Sequence, residues 1–147
     1  MSSRRLFLKC LVTCAAASTS AACGASARSG AGSSASGDAP AGNISGLPVS
    51  AILLVPEIEA CVLRDAAGIY AMTLVCTHEG CDIALEGSVS AAGIICHCHG
   101  SQFDLNGTVL VGPANEDLQH FLVSADKHGN LTVHGTVVVD PSTRLPA

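Results

Sequence analysis

The spacing of apolar and polar residues changes near position 47. Beyond it, short aliphatic runs alternate with Gly, Asp and Asn. Residues 51–55, 60–64 and 69–75 are rich in Val, Leu, Ile and Ala and read as strands. Asp65-Ala66-Ala67-Gly68 has the chemistry of a tight turn, so the second and third runs form a hairpin. Residues 93–96, 108–111, 119–124 and 131–134 read as further strands, with a second hairpin turn at Lys127-His128-Gly129-Asn130. No stretch after position 47 keeps a helical apolar period over ten residues. The expected class is therefore all-β, a small antiparallel β-sandwich spanning residues 47–135, with a C-terminal tail at 136–147.

Upstream of this domain the pattern differs. Residues 24–46 are nearly all Gly, Ala and Ser and read as a flexible linker within a disordered N-terminal segment. Ser3-Arg4-Arg5-Leu6-Phe7-Leu8-Lys9 resembles the twin-arginine export signal, and a weakly apolar stretch follows from Cys10 to Cys23. That stretch is shorter and more polar than the roughly 20 apolar residues of a membrane span. Residues 1–23 are therefore read as a signal peptide, outside the fold. Ser20-Ala21-Ala22-Cys23 resembles a lipoprotein cleavage box, which makes Cys23 a candidate for lipidation; Ala25-Ser26-Ala27 offers simple cleavage instead.

Charge sharpens the division. Residues 1–30 hold Arg4, Arg5, Lys9 and Arg28 and no acid, whereas the remainder carries twelve acids against three cations, a net −9. A negative domain repels nucleic acid and favours basic partners. Aromatic residues make up 3% of the chain, so the core must be aliphatic. Eight Cys and six His in 147 residues point to a metal or a disulfide.

Four of those Cys and three of those His fall in two boxes, Cys76-Thr77-His78-Glu79-Gly80-Cys81 and Cys96-His97-Cys98-His99-Gly100-Ser101. Each box follows a strand and contains glycine. A structural zinc site takes Cys₂His₂ donors, but as a Cys pair and a His pair with their own spacings. Here each box supplies one Cys and one His, as C-x-H and C-x-x-H. That mixture suits a two-iron cluster in which one iron takes both thiolates and the other both imidazoles.

The boxes resemble those of the Rieske [2Fe–2S] family, C-T-H-x-G-C and C-x-C-H-G-S, and Gly112-Pro113-Ala114 is similar to the family's proline loop. The resemblance covers roughly residues 47–135, with the cluster-binding part at about 73–114. It implies one [2Fe–2S] cluster, with Cys76 and Cys96 on one iron and His78 and His99 on the other. It further implies a disulfide between Cys81 and Cys98, which bespeaks an oxidising compartment such as the periplasm. Gly80 and Gly100 match the family's loop glycines. The Ser101 hydroxyl is expected to donate to a bridging sulfide and raise the potential. Phe103 stands where high-potential members have a Tyr, and Glu79 where quinol-oxidising members place an apolar tip residue.

Two thiolates and two neutral imidazoles leave the oxidised site formally neutral, which raises the potential to about −150 to +300 mV, against about −400 mV for all-Cys ferredoxins. Without the Tyr hydroxyl an intermediate value is expected. The implied function is one-electron transfer with no turnover by the chain alone. The carrier is expected to be periplasmic or lipid-tethered, acting as a shuttle or as the small subunit of an oxidoreductase such as a molybdenum-type oxidase. The alternatives are the Rieske subunit of a quinol–cytochrome c reductase, with quinol as a partner, and more remotely a structural zinc module. Among the other candidates, His97 is expected in an exposed loop, Cys61 as a buried free thiol and Asp104 as a turn cap. His120, His128 and His134 are expected as ordinary surface residues.

Overall fold

The computed structural model describes residues 37–147. The expectations for the export signal, for Cys23 and for most of the linker concern residues outside that range.

Ten strands and one short α-helix, with single 3₁₀ turns at Ile44–Gly46 and Pro56–Ile58, follow one another: β1 (Asp38–Asn43), β2 (Ile52–Val55), β3 (Ala60–Arg64), β4 (Ile69–Thr73), α1 (Ile83–Glu86), β5 (Gly87–Ser90), β6 (Gly93–Cys96), β7 (Gln102–Phe103), β8 (Val109–Val111), β9 (His120–Ala125) and β10 (Asn130–Val139). A six-stranded antiparallel sheet runs β1-β10-β9-β4-β3-β2. A four-stranded antiparallel sheet runs β5-β6-β7-β8 and is inserted in the chain between β4 and β9. The all-β class expected from the pattern is the class observed.

The β3–β4 hairpin forms a wall shared by two cores. Ala60, Val62, Ile69 and Ala71 face one apolar cluster, while Cys61, Leu63, Tyr70 and Met72 face the other. Burial on both faces is why these strands read as continuous apolar runs rather than alternating ones. In the first cluster, Ala39 and Ala41 of β1 join Val55 of β2 although these strands are opposite edges of the sheet, so the sheet curls on itself. The second cluster brings Ile83, Ile94, Phe103 and Leu118 onto the outer face of the wall, together with Cys76 and Cys96. Each fully buried aliphatic side chain contributes about 1.5–3 kcal/mol, so the loops bearing the two boxes sit on a firm base.

The turn at Asp65–Gly68 forms as expected: the Asp65 carboxylate accepts from the N–H groups of Ala67 and Gly68 at 2.7 and 2.9 Å. Asp126 organises the second hairpin turn in the same way, accepting from His128 and Asn130 at 2.8 and 2.9 Å. Asp104 caps a turn, accepting from Asn106 and Thr108, each at 2.8 Å.

Several expectations need correction. Residues 38–43, placed by composition in the linker, form an edge strand whose inward positions are Ala39 and Ala41, each 2% exposed. Small side chains gave the alternation no amplitude, and Pro40 is tolerated because β1 is an edge. Residues 136–139, placed in the tail, extend β10, which passes a register shift between His134 and Val138. Further on, Ile69 and Leu145 exchange backbone hydrogen bonds at 2.9 and 2.8 Å, and Arg144 pairs with Asp65 at 2.8 Å. The short, Ser- and Gly-bearing β5 and the two-residue β7 had no apolar signal.

His120 is not a surface residue. It is 1% exposed, stacks at 5.7 Å on Tyr70 and donates from Nε2 to the Asn106 carbonyl at 2.9 Å, while its buried Nδ1 has no partner. His134 is half-buried and tied to Asp38 at 2.9 Å and to Ser124 at 2.8 Å. His128 is exposed and Cys61 is a buried free thiol, as expected, with burial pushing the Cys61 thiol up to about 12.

Burial lowers the pKa of His120, helped by Arg144 and opposed by the bond to Asn106 and by Asp140 and Asp104. The folded state thus favours the neutral ring. Its contribution to stability is complete above the ordinary histidine range, near pH 6.5, and is lost as the pH falls below it. Thermal unfolding midpoints should therefore drop between pH 7.5 and 5 in the wild type. His120→Gln should be less stable by about 1–2 kcal/mol at pH 7.5, with a shallower decline on acidification; an unchanged slope would contradict this account.

Candidate metal centre

Two loops carry the boxes, one leaving β4 and one leaving β6, and their backbones close in the same way. The Cys76 N–H donates to the Cys81 carbonyl at 2.9 Å, and the Gly80 N–H donates to the Cys76 carbonyl at 2.8 Å. In the second loop the Cys96 N–H donates to the Ser101 carbonyl at 2.9 Å, and the Gly100 N–H to the Cys96 carbonyl at 3.0 Å. Both glycines have left-handed backbones, with φ of 75° and 86°, a conformation that costs any residue with a Cβ. The two boxes are thus one local fold used twice, facing each other.

The four candidate donors divide by depth. Cys76 and Cys96 are 2% and 1% exposed, whereas His78 is half-buried and the His99 side chain is 46% exposed. Burial raises the pKa of the Cys96 thiol, the neighbouring Cys76 adds to this, and the backbone N–H groups of Cys98 and His99 act against it. The two imidazoles meet edge to face, with Nδ1 of His78 3.2 Å from Nδ1 of His99.

These positions test what the site can hold. Two imidazole nitrogens about 2.1 Å from one tetrahedral ion stand about 3.4 Å apart, close to the observed separation. A single Cys₂His₂ ion would also draw all four donors to within about 4 Å of one another. Among the described residues, no set of three donor atoms lying within 4.8 Å joins either of these imidazoles to a cysteine sulfur. A thiol pair set apart from an imidazole pair suits a binuclear cluster and does not suit one zinc ion.

A disulfide joins Cys81 to Cys98, linking the loops across a sequence separation of 17 with their Cα atoms 6.8 Å apart. Ser101 is fully buried, and its Oγ accepts from the Ala114 N–H at 3.0 Å, which leaves the hydroxyl proton free to be donated. Ala114 belongs to the proline loop, where the Gly112–Pro113 peptide is cis. Phe103 is 1% exposed in the core beneath. His97 is exposed, as expected, and its N–H donates to the Glu86 carbonyl at 2.9 Å.

Three contacts at the site escaped the sequence reading. The Thr77 hydroxyl donates to the Glu116 carbonyl at 2.6 Å and ties the first loop to the proline loop. Asp82 caps α1 by accepting from the Ala84 N–H at 2.8 Å, a role its place before an aliphatic run could have suggested. Glu79, 63% exposed at the tip of the first loop, lies 3.6 Å from His99 Nε2. That approach joins residues of two different loops, so no local pattern reveals it.

Comparison with known proteins gives the arrangement its context. The family description Rieske [2Fe-2S] domain matches residues 46–122. The cytochrome b6-f complex iron-sulfur subunit of Cyanothece sp. (strain PCC 7425) is 45% identical over 62 residues, which is 41% of this chain and 34% of that protein. The subunit of the same name from Trichodesmium erythraeum is 47% identical over 60 residues, 40% of this chain and 32% of that protein. The match thus spans about a third of the length of these curated relatives. Among solved structures, a chain from the complex of reduced oxygenase and oxidized ferredoxin in carbazole 1,9a-dioxygenase superposes with a TM-score of 0.51 at 21% identity, covering 70% of this chain and 97% of that one. The likeness at that identity is one of fold.

The disulfide should hold the two loops together when the site is stressed. Replacing Cys81 and Cys98 with Ser should cost about 3 kcal/mol by the chain-entropy relation for a loop of this length. The matching observation is a lowered unfolding midpoint, reproduced in the wild type by reductant and absent from the double variant under the same reductant.

Proposed function

The chain belongs to the Rieske [2Fe–2S] domain family, and from that premise we propose that it is a one-electron carrier whose cluster is ligated by Cys76 and Cys96 on one iron and by His78 and His99 on the other. The observation that carries this reading is the pairing of two buried thiols with two imidazoles whose Nδ1 atoms stand 3.2 Å apart, presented by two loops of identical closure. The bound cluster supplies a site that gains and loses one electron. The chain's residues do the rest. Cys76 and Cys96 anchor it in the core and exclude water from the inner side. His78 and His99 hold the outer side through Nδ1 and leave Nε2 turned outward, where a proton can be held or released. The Ser101 hydroxyl donates inward and favours the reduced, more negative state.

The same reading covers where the carrier works. Residues 1–23 act as a twin-arginine signal, with Cys23 as the lipidated residue of the mature protein, and the Gly/Ser/Ala segment that follows tethers the Rieske domain on the periplasmic side of the membrane. The Cys81–Cys98 disulfide suits that oxidising compartment. Among the described residues no helix is long and apolar enough to cross a membrane.

A second reading, the iron–sulfur subunit of a cytochrome bc-type complex with quinol as partner, is favoured by the relatives named as cytochrome b6-f subunits. The shuttle reading is preferred because the exposed tip residue is Glu79, whose carboxylate is costly to bury in an apolar quinol pocket.

Iron and sulfide analysis of the purified protein, with EPR of the reduced form, tests the assignment. Two irons and two sulfides per chain are expected, falling to background in Cys76→Ser and His99→Ala; a colourless protein with one zinc would refute it. Ser101→Ala should retain the cluster but lower its potential. A charge-assisted hydrogen bond of about 1.5 kcal/mol corresponds to about 60 mV for one electron.

A further inference from the structure

We infer that the loop end of this domain is a docking face for a redox protein whose contact surface is rich in Lys and Arg. The inference rests on the carrier reading above and names the partner's chemistry. Its first support is where charge lies. Between Arg64 and Lys127 the sequence contains no Lys or Arg, and of the eight carboxylates there Asp65 and Asp126 belong to turns of the six-stranded sheet and Asp104 lies beside Asp65 and Arg144, which leaves Glu79, Asp82, Glu86, Glu116 and Asp117. The cations of the described chain sit on the six-stranded sheet and its connections: Arg64 donates to the Leu47 carbonyl, Arg144 pairs with Asp65, and Lys127 lies in the β9–β10 turn. Two of these acids have structural duties, Asp82 as a cap and Asp117 as acceptor of the Val109 N–H. Glu79, Glu86 and Glu116 are exposed, cap no turn and hold no Lys or Arg. Their charge is surplus to the fold.

The second support is apolar. Leu85 is 82% exposed, more than any other large hydrophobic residue described, although its neighbour Ile83 is fully buried in the core. With Glu86, Gly87, His97 and Cys98 it borders a shallow hollow of about 280 Å³ beside the disulfide. An exposed leucine beside the Glu86 carboxylate and the exposed His97, at the disulfide that joins the two boxes, has the make-up of a transient interface, with an apolar centre and a polar border. Electrons leave through the least covered ligands, and His78 and His99 are those, so a partner must approach this end. A cationic partner gains from Glu79, Glu86 and Glu116 both in steering and in contact. An apolar partner would have to desolvate them.

The far end of the domain supplies an internal control. β9 begins at the loops, where the Thr73 N–H donates to the Gln119 carbonyl, and ends at the 126–130 turn, which carries the exposed His128. Glu116→Gln and His128→Lys change the net charge by nearly the same amount at opposite ends. The experiment follows electron transfer from the reduced, cluster-loaded protein to a lysine-rich c-type cytochrome by stopped flow, with the potential of each variant measured alongside. The wild-type rate should fall at least ~10-fold as salt rises from about 20 to 500 mM, because the Debye length shrinks from about 20 to 4 Å. At low salt Glu116→Gln should slow the reaction by roughly 3-fold or more and His128→Lys much less, at unchanged potential. A salt-independent rate, or equal effects of the two substitutions, would overturn the docking face and leave the carrier reading standing. Failure of the protein to accept an electron reversibly would overturn the carrier reading itself.

Discussion

Two loops far apart in sequence must present their donors to one small volume, and the rest of the domain is arranged around that requirement. The loops solve the problem twice with one device: a Cys at or just past a strand end, a carbonyl–amide pair closing the turn, and a left-handed glycine that lets the chain return. Closure alone would leave each loop free to swing. The Cys81–Cys98 bridge removes that freedom, and the Thr77 bond to the Glu116 carbonyl fixes the first loop against the proline loop. Ser101 then joins the second loop to the same proline loop through Ala114. The three segments form a closed set in which each is held by the other two.

The depth difference between the donors follows from where the strands end. Cys76 and Cys96 sit where β4 and β6 leave the core, so their sulfurs share the cluster of Leu74, Ile94 and Phe103. His78 and His99 lie two and three residues further on, past the point where packing covers the chain. A metal group held this way is insulated on its inner side and open on its outer side. On the proposed carrier reading, this depth difference would make the outer side the one from which an electron leaves.

Much of this was legible in the sequence because ligand chemistry is local. C-x-H-x-G and C-x-x-H-G identify the loops with no knowledge of the sheet, and the strands β3, β4 and β6 announce themselves by their aliphatic runs. What stayed hidden depended on long-range pairing. β1 is a strand only because β10 lies beside it, and Ala39 and Ala41 carry too little apolar bulk to mark an inward face. His120 looks polar in one dimension, but its place opposite Met72 puts it in the interior against Tyr70. The Glu79–His99 approach joins two loops and has no signature within either.

The β3–β4 wall links these observations to function. Its inner face closes the curled sheet and its outer face carries the loop domain, so a residue such as Met72, fully buried, is packed by the base and by the site together. A thioether is soft enough to fill that irregular junction, and Gly107 approaches it so closely that a Cβ there would lie 3.0 Å from the Met72 sulfur. Packing at that density resists small displacements of one half against the other. On the proposed carrier reading, such packing would leave the candidate ligands little room to rearrange when the charge changes.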